Sequence, residues 1–241
     1  MLKTIRTAIL SLALLGASSI TNATLITNGS FEQTRFTDNS TSFGAVFNTN
    51  LQSYENKRRS WDVFYTLPGW MTVFGNGIEL QKNVVTRSQH GEHHIELDSY
   101  KSYKSGSSNS VMTQTIDSLT VGEDYLLEFY YKPRTNSKND NGINVFWQDS
   151  SINFDINMQA SFVADGTSLS TPKWIKQSTV LTANADSMNL SFGSFGRQNT
   201  LGGLVDNVSL TRVSSVPEPA TIVLLLLGFT FLIARKRKQL L

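Results

Sequence analysis

The chain has 241 residues, 39% of them hydrophobic and 17% charged, with no cysteine, which excludes a disulfide framework. Six of its 21 basic residues lie at the two ends (Lys3, Arg6, Arg235, Lys236, Arg237 and Lys238), leaving residues 24–215 with 15 basic and 18 acidic groups. A body with a net charge of −3 argues against a nucleic-acid partner, which wants a basic face.

In chain order, Lys3 and Arg6 precede an apolar stretch at 8–17, and Thr21-Asn22-Ala23 offers a small-residue cleavage site. Residues 1–23 therefore read as a signal peptide removed after Ala23, because the apolar stretch is too short for a comfortable membrane span. About 190 residues remain, enough for one domain with its own core. They contain no long stretch of helical period and no internal repeat. Strands are predicted over 25–31, 61–74 (with a turn at Leu67-Pro68-Gly69-Trp70), 77–82, 93–99, 110–116 and 124–132. Further strands are predicted over 144–147, 153–162, 173–182, 188–192 and 204–213, while 33–60 is polar and aperiodic and reads as a long loop or insertion. Met188-Asn189-Leu190-Ser191-Phe192 and Val208-Ser209-Leu210-Thr211 alternate strictly, so each buries one face and exposes the other. The expected fold is an all-β jelly-roll β-sandwich at 24–215.

The end of the chain, 216–241, has three parts. Val216-Pro217-Glu218-Pro219 marks the boundary with the body, an apolar, charge-free run covers 220–234, and Arg235-Lys236-Arg237-Lys238 closes the tail. Fifteen helical residues reach about 22 Å against a hydrocarbon core of about 30 Å, so the predicted transmembrane helix is short. Its basic end would stay cytoplasmic and place the body outside. The motif Pro217-Glu218-Pro219 with helix and basic end resembles the PEP-CTERM sorting signal of Gram-negative bacteria. That resemblance implies recognition by an exosortase in the inner membrane, at least transient anchoring there, and an envelope, surface or extracellular-matrix destination alongside exopolysaccharide.

The body also resembles a known family. The residues that carry the likeness are Asn28-Gly29-Ser30-Phe31-Glu32, Leu67-Pro68-Gly69-Trp70, His90-Gly91-Glu92-His93-His94-Ile95-Glu96-Leu97-Asp98-Ser99, Met112-Thr113-Gln114-Thr115-Ile116, Val121-Gly122-Glu123-Asp124-Tyr125 and Gly203-Leu204-Val205-Asp206-Asn207-Val208. In this order they are similar to galactose-binding-like jelly-roll domains, including carbohydrate-binding modules. The resemblance implies a non-catalytic, polysaccharide-binding body and a structural Ca²⁺ held in part by Glu32 and Asp206. Counting by twos from Val208 and Leu210 also puts Asp206 on their inward side, where a carboxylate must be paired, hydrogen-bonded or metal-bound.

Other constellations read more plainly. His90, His93 and His94 lie close together, but consecutive strand residues point to opposite faces, so zinc geometry fails. Glu96 and Asp98 share a strand face roughly 6.5–7 Å apart, which admits glycoside hydrolysis without completing a cleft for it. Stacking on sugars wants exposed rings. Trp70 and Trp174 lie in strand-like segments and read as core, whereas Trp147 and Tyr100 adjoin polar loops and are the candidate ligand-binding residues. The rival to a sugar-binding body is a structural surface protein with no sugar ligand.

Overall fold

A computed structural model describes residues 23–34, 61–100, 107–166 and 173–213, all within one compact unit, Ala23–Val213. The expected signal peptide, the Pro217-Glu218-Pro219 motif, the hydrophobic helix at 220–234 and residues 35–60 of the expected loop lie outside the described residues. Among the described residues no helix is long and apolar enough to cross a membrane.

The unit is an all-β, two-sheet sandwich. Its strands are β1 (Trp61–Phe64), β2 (Thr66–Leu67), β3 (Trp70–Phe74), β4 (Ile78–Lys82), β5 (His93–Glu96), β6 (Val111–Ile116) and β7 (Asp124–Lys132). They continue with β8 (Gly142–Asp149), β9 (Phe162–Ala164), β10 (Ile175–Thr182), β11 (Met188–Phe195) and β12 (Leu204–Arg212). One sheet runs β1-β4-β5-β12-β7-β10 and the other β2-β3-β6-β11-β8-β9, with every pairing antiparallel.

Alternation explains how the strands fill the core. In β7 the residues Tyr125, Leu127, Phe129 and Tyr131 are buried while those between them are not. In β11 the inward residues are Met188, Leu190 and Phe192. A chain of aromatic contacts crosses between the sheets: Phe31 to Trp70 (6.0 Å between ring centroids), Trp70 to Phe192 (5.9 Å), Phe192 to Phe129 (5.1 Å) and Phe129 to Phe162 (6.1 Å). Trp70 is thus core, as its strand position predicts.

Three expectations change. Residues 25–31 form no ladder strand, because Asn28 and Phe31 take positive φ (53° and 59°). They still lie along β12, with Leu25 N–H donating to the Leu210 carbonyl and Val208 N–H to that of Gly29 (2.8 Å each). Gly29 is needed there, since a Cβ would meet the Val208 oxygen at 1.9 Å. Within 153–162 only Phe162 belongs to a strand; an Asx turn at Asp155, whose carboxylate accepts Asn157 N–H, curls the chain instead.

The third change concerns Asp206. A β-bulge lies between Asp206, opposite Tyr130, and Ser209, opposite Glu128, with Asn207 at φ 50°. The extra residue shifts the parity, so Val205, Val208 and Leu210 share the core. Asp206 therefore sits on the opposite, outer face of its sheet, yet it is fully buried.

Candidate functional site on the outer face of the β5–β12 sheet

Positions that alternate with the core residues in β4, β5 and β12 carry Glu79, Gln81, His94, Glu96 and Asp206. On an antiparallel sheet such side chains would ordinarily meet water. Here they form a buried polar layer.

Gln81 stands at its centre. The Gln81 Nε2 donates to Glu79 Oε1 (2.9 Å) and to Glu96 Oε2 (2.8 Å). Its Oε1 lies 3.2 Å from His94 Nε2. An amide oxygen only accepts, so His94 carries its hydrogen on Nε2 and its Nδ1 accepts from Ser88 Oγ (2.8 Å). Burial, with the nearby cations Lys132 and Arg134 assisting, lowers the His94 pKa to about 4, which keeps this imidazole neutral. The Trp174 ring packs edge-on against His94 at 5.7 Å and its indole donates to the Arg87 carbonyl. Trp174 is therefore part of the outer layer and not of the core its strand-like position suggests.

Glu96 accepts from Arg134 Nη1 (2.6 Å), which also donates to the Thr200 carbonyl, and from Gly202 N–H (2.6 Å). Burial, followed by the charge of Glu79, pushes Glu96 up to about 8 even though Arg134 pulls the other way. Glu79, raised chiefly by burial, accepts Tyr100 N–H (2.8 Å). Asp98 accepts Asn199 and Leu201 N–H on Oδ2 (3.1 Å each), while its buried Oδ1 has no hydrogen-bond partner among the described residues. Glu96 and Asp98, the pair admitted for hydrolysis, are both fully buried and hold the loop at 199–202.

At the β1 edge of this layer stands an aromatic pair. Trp61 lies opposite Gln81 in the β1–β4 ladder, on the same face. Tyr100, 53% exposed, meets it edge-on with centroids 5.4 Å apart. Trp147, the other candidate ring, belongs to the opposite sheet, packs against the core and donates its indole N–H to the Thr182 carbonyl (2.9 Å). Tyr100 and Trp147 are not brought together. Glu79, Gln81 and Arg134 went unselected in the sequence. The Ile78-Glu79-Leu80-Gln81 alternation was the available signal for the first two, whereas nothing local ties Arg134 to a glutamate 38 residues away.

Residues 83–92 cross this face without a ladder of their own. Asp206 Oδ2 accepts Gln89 and His90 N–H (2.8 and 2.9 Å), and its Oδ1 accepts Asn207 N–H. Glu32 Oε1 accepts Glu92 and His93 N–H (2.8 Å each), and its Oε2 pairs with His93 Nδ1 (2.9 Å). Lys132 Nζ donates to Thr86 Oγ1. Both expected metal ligands thus grip one strap by backbone amides. Burial, with the charge of Glu32 adding to it, pushes Asp206 up to about 7. The three histidines are spent separately, His90 through its backbone, and among the described residues no group of three or more His, Asp or Glu is placed to hold a metal.

The fold and this layer define a two-sheet β-sandwich with a polar face sealed by a strap. Outside the described residues, 215–238 match the PEP-CTERM protein-sorting motif, which indicates export and exosortase-linked sorting in the envelope. The chain is also 29% identical over 160 residues, 64% of its length, to a multifunctional-autoprocessing repeats-in-toxin of Vibrio vulnificus. It spans only 3% of the length of that relative. Similar solved structures include the K1 cleaved adhesin domain of Lys-gingipain from Porphyromonas gingivalis W83 (14% identity, TM-score 0.44, covering 64% of this chain and 98% of that one). Another is TmCBM61 in complex with β-1,4-galactotriose (15% identity, TM-score 0.37, covering 79% and 99%).

Proposed function

We propose that this is an exported, non-catalytic protein whose body binds polysaccharide in the envelope or extracellular matrix. An exosortase and the export machinery would handle its terminal segments, with transient anchoring in the inner membrane. The observation that carries the sugar reading is the Trp61–Tyr100 pair, a partly exposed aromatic edge beside a network of carboxylates, an amide and a guanidinium. Rings supply the stacking face that a pyranose needs, and such polar groups read hydroxyls. Strand order supports the finer jelly-roll reading: β5-β12-β7-β10 pack against β6-β11-β8-β9, late strands interleaved between early ones in both sheets.

Pull-down with insoluble glycans tests the binding. Tyr100→Ala should abolish retention without lowering the melting temperature, and equal retention of both proteins would sink the reading. Fractionating cells with and without an exosortase tests the sorting. A protein left unprocessed in the inner membrane in both would overturn it.

Calcium is part of the proposal. Glu32 and Asp206 bind the same short strap, at Glu92 and His93 and at Gln89 and His90, which brings two carboxylates along one segment. Glu32 and Asp206 would hold the ion, with backbone carbonyls and waters completing the six to eight oxygens it takes. Bound calcium would fasten the strap. Melting that responds neither to chelator nor to added Ca²⁺ would remove it. A purely structural role is the second reading, favoured by how completely Glu32, Glu96 and Asp206 are spent on internal contacts.

A further inference from the structure

The strap at 83–92 is attached unlike any other segment of the body. None of its side chains belongs to the apolar core, and Val84 and Val85 are 41% and 40% exposed. It has no ladder partner, and its ends turn through positive φ at Asn83 (53°) and Gly91 (65°). The charged contact made by its own side chains, Glu92 with Lys82, is a surface pair of little worth. What fastens it is a set of polar contacts, each of modest net value. A segment held this way opens locally at far less cost than the core unfolds.

Toward its bed the strap offers only uncharged groups. Backbone N–H groups of Gln89 and His90 donate to Asp206. Glu32 receives that of Glu92. The Arg87 carbonyl accepts from the Trp174 indole, the Thr86 hydroxyl from Lys132 Nζ, and the Gln89 amide oxygen from Asn207 Nδ2. The Ser88 hydroxyl donates to His94 Nδ1. The bed is therefore a mixture of acceptors and donors beside an indole ring, the set that reads hydroxyls around a sugar. A hydroxyl both donates and accepts, so a neutral glycan can replace every one of these contacts. A polyanion would meet Glu32 and Asp206, and a polycation would meet Lys132. The bed continues the face that carries Trp61, because Gln81 stands opposite Trp61 in one ladder and opposite His94 in the next.

We propose that the strap is the resident occupant of a glycan site: a neutral polysaccharide displaces residues 83–92 and binds the bed of Glu32, Lys132, His94, Trp174 and Asp206 in their place. This rests on the polysaccharide reading above and adds to it the ligand class and a lid. Sugar hydroxyls take over from the Thr86 and Ser88 hydroxyls and the strap's backbone, and the strap swings out on its two left-handed ends.

The test joins calorimetric titration to hydrogen exchange on the folded protein, in chelator so that no calcium fastens the strap. The probes are neutral mannan, xylan and galactan hexamers, a mannuronate hexamer and a glucosamine hexamer. A neutral hexamer should bind tightest. In its saturated complex the amides of Gln89, His90 and Glu92 should exchange about tenfold or more faster, because each trades a carboxylate acceptor for water. Thr86→Val combined with Ser88→Ala should raise the affinity about tenfold, since a closed strap lowers apparent affinity by the fraction of time the bed is open. Slower or unchanged exchange at those amides in a bound complex overturns the lid and leaves the polysaccharide reading standing. Tighter binding of a charged hexamer overturns the neutral class. Binding of none, by either protein, overturns the lid and the polysaccharide reading together. If the double variant fails to fold, exchange on the unaltered protein decides the matter.

Discussion

Glu96 shows how much one side chain can owe to its surroundings. It is fully buried and meets one guanidinium, one amide and one backbone N–H. Removing Arg134 alone strands a buried polar carboxyl, so Arg134→Ala should cost about 1–3 kcal/mol, whereas Arg134→Met combined with Glu96→Leu should cost much less. Urea unfolding of the single and double variants checks the difference. The pH dependence has a definite sign. The native protein keeps the Glu96 proton up to about pH 8, while the unfolded chain releases it near the ordinary 4.5. The native state therefore holds more protons across that interval, and stability falls as pH rises through it. Asp206, raised to about 7, acts in the same direction up to that point. His94, lowered to about 4 from 6.5, acts oppositely, but only below pH 6.5. From pH 6.5 to 8 the stability should thus decline, by at most about 1.4 kcal/mol per pH unit for each proton. Glu96→Gln should flatten the slope between pH 7 and 8, and an unchanged slope would remove Glu96 as its source.

Among the elements, β7 was readable to the residue because its alternation is unbroken from Asp124 to Lys132. β12 was placed correctly but misread internally. Its bulge at 206–209 inserts one residue, and a period-of-two count has no means of registering that. Trp174 just precedes β10 and turns onto His94 in the outer layer, which its strand-like segment gave no sign of, while Trp147 rests on the core from the other sheet. The strap at 83–92 gave no periodic signal at all, because carboxylates distant in sequence hold it in place of a ladder. Its geometry yields a further prediction. Gly91 has φ +65°, and a Cβ on it would meet Glu32 Oε1 at 2.3 Å. Gly91→Ala should cost about 1–3 kcal/mol, from the backbone strain of a non-glycine residue in that region and the displaced carboxylate. Faster hydrogen exchange at Glu92 and His93 should accompany it, and unchanged exchange there would show that Glu32 does not hold the strap.

For the whole molecule, the ends and the body answer different questions. The ends carry the basic excess and the sorting motif, so the sorting signal was readable from Pro217-Glu218-Pro219 with the apolar run and basic cluster that follow it. The body's site was not, because Trp61, Glu79, Glu96, Tyr100 and Arg134 meet only when β1, β4, β5 and the turn after β7 are assembled. The strap adds a consequence for the life of the chain. Its fastenings come from Glu32, His94, Lys132, Trp174 and Asp206, and the last of these joins near the very end of the body. Truncation before β12, or a chain still threaded through an export channel, leaves residues 83–92 without their Asp206 fastening. Tryptic cleavage at Arg87 should accordingly be faster in a chain truncated before β12 than in the whole body, and equal rates would show that the strap is closed without the last strand.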